Sequence, residues 1–135
     1  MTEALSSRLR KIKEAKEVEK EVNKTRHAEF FQQWTTVIET VIEPAVKETE
    51  QTFLLEEGPI VVARKESSSE IVIQVGKEER NCWRLSFKCD WMSFNVKVET
   101  VETVTGRKVP KVFKLEELTR SAVDDLITEF MQQAL

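Results

Sequence analysis

The apolar residues of the first third of the chain recur at steps of three and four: Leu5, Leu9, Ile12, Ala15, Val18 and Val22, then Phe30, Trp34, Val37 with Ile38, Val41 with Ile42, and Ala45 with Val46. At 3.6 residues per turn that spacing predicts a helix with its apolar residues on one stripe. The two halves of the stripe differ. Up to Lys24 it is one residue wide between charges, whereas from Phe30 it doubles to adjacent pairs. The second half is therefore expected to lie on a core, and the first to project or to pair with another chain. Pro44 falls inside the pattern, where a proline removes a backbone hydrogen bond and crowds the preceding turn. Because Ala45 and Val46 keep the spacing, the helix is expected to be kinked or broken near Pro44 and to run on to about Gln51.

After Glu56-Glu57-Gly58-Pro59 the period drops to two and β-branched residues accumulate, which marks the start of a sheet. Strands are expected over 60–64, 70–75, 82–89, 92 to about 104, and 109–113. The connections fall at the polar "KESSSE" loop, at "GKEERN" and at "TGRK". Pro110 cannot donate to a ladder, so the last strand is expected at an edge. From Leu115 the apolar residues Leu118, Ala122/Val123, Leu126/Ile127 and Phe130/Met131 return to helical spacing, with Thr119 as N-cap. The order of helix, antiparallel meander of about five strands and closing helix is that of an α+β fold with helices on one sheet face. A division follows: residues 1–28 form a projecting charged amphipathic helix, and 29–135 form one α+β domain that includes the helix to about 51.

The stretch "CWRLSFKCDWMSFNVKVE", Cys82 to Glu99, holds both cysteines and two of the three tryptophans and so invites a chemical reading. Strand alternation puts Trp83, Leu85, Phe87 and Cys89 on one face, and Cys82, Arg84, Ser86 and Lys88 on the other. The cysteines thus point apart, about 23 Å from each other at 3.3 Å per residue, too far for a disulfide or a shared metal ion. Met92, Phe94, Val96 and Val98 continue the alternation on even numbers. That change of parity calls for a turn near Lys88–Ser93 or a bulge, and the turn is preferred because a single strand of some eighteen residues would be exceptional.

Catalytic chemistry finds little to work with. The chain has one histidine, His27, and its glycines at 58, 76 and 106 sit in separate turns, which leaves no phosphate-cradling loop. A zinc centre lacks ligands. The carboxylate pairs lie in turns or at helix starts, where solvation and capping account for them. Neither enzymatic activity nor a metal or other cofactor is expected. Met1 to Lys24 shows no apolar run of a secretory leader and no segment is long and apolar enough to span a membrane, so the expected location is the cytoplasm, away from membranes.

Three functional readings remain. The first is a protein–protein interaction module, a homodimer or the binder of another protein, using Leu5, Leu9, Ile12, Ala15, Val18 and Val22 in coiled-coil fashion. The second rests on charge: Arg8 to Arg26 holds eight basic residues against four acidic ones, +4 in a chain of −3 overall. Such an arm suits nucleic acid through Arg8, Arg10, Lys11, Lys13, Lys16, Lys20, Lys24 and Arg26. Glu14, Glu17, Glu19 and Glu21 interrupt it, however, and no aromatic interleaves. The third is a small-ligand binder or enzyme with an aromatic pocket formed by Trp83, Phe87, Trp91 and Phe94.

Overall fold

The computed structural model describes residues 4–54, 61–78 and 81–135. The first helix, α1, spans Leu5–Val37; a five-residue π-helical turn, Ile38–Ile42, leads without a break into α2, Glu43–Leu54. The expected irregularity thus lies in the turn before Pro44, where the helix widens without breaking. In the π turn the Glu43 N–H reaches back to the carbonyl of Ile38, one residue further than in an α-helix. Pro44, which has no N–H, sits where bonding returns to the ordinary pattern, and the widened turn accommodates its ring. The hydroxyls of Thr36 and Thr40 donate to the carbonyls of Gln32 and Thr36, at 3.0 and 2.7 Å, a back-bonding that favours bending here.

Strands β1 (Val61–Ser67), β2 (Glu70–Glu78), β3 (Asn81–Asp90), β4 (Asn95–Glu102) and β5 (Arg107–Phe113) pair antiparallel in sequence order. This is the expected meander, with Pro110 on edge strand β5 opposite Glu99. Several boundaries differ from the sequence reading, β2 running on to Glu78 and β5 starting at Arg107 among them. β1 continues through Lys65-Glu66-Ser67, with a bulge between Lys65 and Ser67, and only Ser68 and Ser69 turn. Pairing with β2 overrides the polarity of this edge segment. β4 starts at Asn95 because 91–94 form the turn. Asp90 pairs with Asn95 and Cys89 with Val96, so odd residues of β3 and even residues of β4 share a face, which is the change of parity seen in the sequence. The "EEGP" punctuation and Ile60 lie outside the described residues.

A short 3₁₀ turn, Leu115–Glu117, precedes α3, Arg120–Ala134. The Thr119 hydroxyl accepts from the Ala122 N–H at 3.2 Å, as its place before the helix leads one to expect. One core joins the helices to one sheet face: Phe30, Trp34, Ile38 and Ile42 from the first helix and π turn, Ala45 and Val46 from α2, Val123, Ile127 and Phe130 from α3, against Ile71, Ile73, Leu85, Phe87, Cys89, Val96 and Val98. Arg120 fastens α3 to α2 by pairing with Glu48, and to its own helix through Asp124 at 2.8 Å. The opposite sheet face also buries Val72, Gln74 and Cys82. The Thr103 hydroxyl bridges both backbone groups of Cys82, accepting from its N–H at 2.8 Å and facing its carbonyl at 3.0 Å.

Candidate functional site

Phe30 is the first buried residue of α1, and every residue from 8 to 29 is exposed. The arm is nevertheless helical throughout. Nucleation is the costly step in helix formation, and here the packed segment from Phe30 onward supplies the nucleus from which Lys- and Glu-rich sequence propagates. Lys16 pairs with Glu19 along the arm at 3.3 Å, an exposed contact of small worth. All six apolar candidates are therefore presented to solvent, with Leu5 71%, Leu9 54%, Ile12 57%, Val18 64% and Val22 52% exposed.

The single stripe expected from the spacing winds around the arm. At about 100° per residue, Leu5, Leu9 and Ile12 share one sector about 60° wide, and Ala15, Val18 and Val22 share another centred about 120° further round. The three consecutive three-residue steps from Leu9 to Val18 each fall about 60° short of a full turn and cause the shift. A partner helix following this surface must cross more steeply than the roughly 20° of an ordinary coiled coil.

The arm leaves the body through an aromatic clasp that the sequence pattern did not disclose. Phe94 lies 5.6 Å from Phe30 and 5.1 Å from His27, ring centre to ring centre, and the Arg26 guanidinium sits 4.7 Å over its face. Trp91 stacks on Phe31 at 5.3 Å and meets Phe30 edge-on at 5.8 Å. Both clasp residues come from the β3–β4 turn, in which Phe94 adopts φ 57°, a left-handed conformation unfavourable for a bulky residue. Asp90 holds that turn by accepting from the Met92 N–H at 3.0 Å. Hydrogen bonds from Ser93 and the Met92 backbone keep its carboxyl below its ordinary value of 3.8. Its stabilisation is thus complete above that value and is lost as pH falls through and below it. Asp90→Asn, which keeps an acceptor, is expected to retain the turn while removing this group's part of the acid-limb decline in urea-unfolding stability; Asp90→Ala is expected to weaken the turn at neutral pH.

The four residues of the pocket reading are dispersed. Phe87 is fully buried in the core, Trp91 and Phe94 serve the clasp, and Trp83 stands near the other end of β3. Trp83 borders an open cleft of about 290 Å³ with Thr100, Glu102, Arg107, Val109 and Gln133. A separate cleft of about 330 Å³ beside the clasp is bounded by Arg26, Phe30, Phe94 and Lys114 among others. A third, about 290 Å³, opens on the opposite sheet face among Arg84, Lys88, Lys97, Lys108, Glu70 and Glu99. Its charges are partly neutralised, Lys97 by Glu99 of the same cleft at 3.3 Å and Arg84 by Glu66, which does not line it, at 3.1 Å.

Both cysteines are buried and unbridged. Burial, aided by Asp90, pushes the Cys89 thiol from 9.0 up to about 11, the opposite of what a nucleophile requires. A chromogenic thiol reagent is expected to find almost no reactive sulfur in the native protein at neutral pH and both thiols after unfolding. The neutral thiol's contribution to stability is full below pH 9 and declines as pH rises toward 11. Among the described residues no three His, Cys, Asp or Glu side chains are grouped to hold a metal ion, and no helix is long and apolar enough to cross a membrane. The eight basic residues from Arg8 to Arg26 are all exposed. Set against protein-family models, curated proteins and solved structures, the chain matches none.

Proposed function

We propose that the chain is a protein–protein association module without catalytic activity or cofactor, in which residues 5–22 of α1 are the docking element and the α+β body is its support. One observation carries this reading: an ordered helix holds five large aliphatic side chains more than half exposed, Leu5, Leu9, Ile12, Val18 and Val22, on a winding surface where no part of the body covers them. Burying the exposed part of such side chains is worth about 0.8–1.5 kcal/mol each. The body has already ordered the backbone, which lowers the entropic cost of association. The test is light scattering on the full chain and on the Leu9→Glu/Ile12→Glu variant. Self-association predicts a wild-type mass of twice 15.7 kDa and a monomeric variant; a monomeric wild type sinks it.

Nucleic-acid binding is a second reading, favoured by the alignment of Lys13, Lys16, Lys20 and Lys24 on one side of the arm at steps of three and four. Glu17 and Glu21 stand beside that row, and Arg26 is engaged by Phe94. Titration against DNA and RNA at two salt concentrations separates the readings. Phosphate binding must weaken steeply as salt rises, whereas apolar helix pairing does not.

A further inference from the structure

Building on the association reading, we infer that the arm docks on the same arm of a second copy of this chain, antiparallel, with a two-fold axis passing between Lys13 and Glu14. The apolar positions 5, 9, 12, 15, 18 and 22 read the same from either end. Reversing the helix about that axis brings Leu5 to the level of Val22, Leu9 to that of Val18 and Ile12 to that of Ala15 of the second copy, so every apolar position has an apolar counterpart at its height. A two-fold interface requires this kind of self-complementarity. Ala15 stands next to the axis, where the two backbones come closest and a small side chain is needed. Because the apolar surface winds, the two helices cross at an angle, in closest contact around Ile12 and Ala15 and farther apart toward Leu5 and Val22.

Charge selects the same direction. Residues 8–13 carry four basic side chains, Arg8, Arg10, Lys11 and Lys13, and no acid, while residues 14–21 carry Glu14, Glu17, Glu19 and Glu21 against Lys16 and Lys20. The antiparallel arrangement lays the +4 half on the −2 half twice over; a parallel one sets the basic halves against each other. Opposed blocks of this kind fix orientation and register more than affinity. At the flank, Arg8 and Glu21 of the second copy come to the same side, about two residues apart in height. Each Leu5 comes to the level of Val22, four residues before Arg26.

The experiment uses full-length Leu9→Cys and Val18→Cys variants, alone and mixed, treated with a short bis-maleimide and separated on a denaturing gel; the native cysteines are buried. The expected result is a cross-linked dimer in the mixture only, because like positions lie about 14 Å apart along the axis. Cross-linking of Leu9→Cys with itself overturns the inference in favour of parallel pairing. Absence of product in the mixture, with a dimeric mass by light scattering, overturns it and leaves the association reading standing; a monomeric mass removes both. A second arm is charge exchange: Arg8→Glu is expected to weaken the dimer about tenfold and Arg8→Glu/Glu21→Arg to restore it. An unaffected single variant, or an unrescued double one whose helix content matches wild type, counts against the register.

Discussion

Replacing Trp34 by alanine is expected to destabilise the domain by about 3–5 kcal/mol, a large share of the roughly 5–15 kcal/mol that holds a typical domain together. Trp34 is fully buried, between Phe30 and Ile38 on the line of α1 that faces the sheet. It also does something no aliphatic neighbour does: its indole N–H donates to the carbonyl of Ser68 at 3.1 Å. One side chain thus fills the centre of the core and ties α1 to the β1–β2 turn. Trp34→Phe keeps most of the packing and gives up the hydrogen bond, so its cost should be near 1–2 kcal/mol. Urea unfolding of the three proteins checks the order. A Phe variant as damaged as the Ala variant would mean that the link to Ser68, and not volume, dominates.

The second large effect is on assembly. Leu9→Glu/Ile12→Glu removes two aliphatic side chains from each copy of the interface. With each side chain about half exposed beforehand, burial is worth about 0.8–1.5 kcal/mol apiece, so losing four of them costs about 3–6 kcal/mol per dimer, about two to four orders of magnitude in dissociation constant. The monomer should hardly register the change. Leu9 and Ile12 are 54% and 57% exposed, and glutamate is as good a helix former as either. The expected signature is a monomeric mass at every accessible concentration, with the unfolding midpoint, measured at low protein concentration, close to that of wild type.

Residue pattern disclosed the architecture where one period dominated. The three-to-four spacing of α1 and α3, the alternation of β2 and β3, and the parity change at Trp91-Met92 each admit one regular solution, and the structure adopts them. Pro44 announced an irregularity, but its form, a π turn one step earlier, depends on how the preceding carbonyls find donors and is not written in residue type. "KESSSE" looked like loop because it is polar. Strand pairing is decided by the neighbouring strand, and β1 runs through half of it. The clasp of Arg26, His27 and Phe31 on Trp91 and Phe94 joins residues sixty or more positions apart, a proximity that no local spacing encodes. The six apolar positions of the arm were legible; their winding became visible only once the helix was known to be unbroken.

In the proposed pair, the uninterrupted passage of α1 from solvent into the core would make the arm a ruler. No glycine or proline lies between Leu5 and Glu43 to act as a joint, and the clasp braces the helix where it emerges. In the antiparallel pair each Phe30 stands about 25 Å from the axis measured along its helix, which sets the two bodies roughly 50 Å apart at opposite ends of a bar. The sheet faces and clefts of both copies stay clear of the contact, and whatever they engage would be held at that fixed spacing.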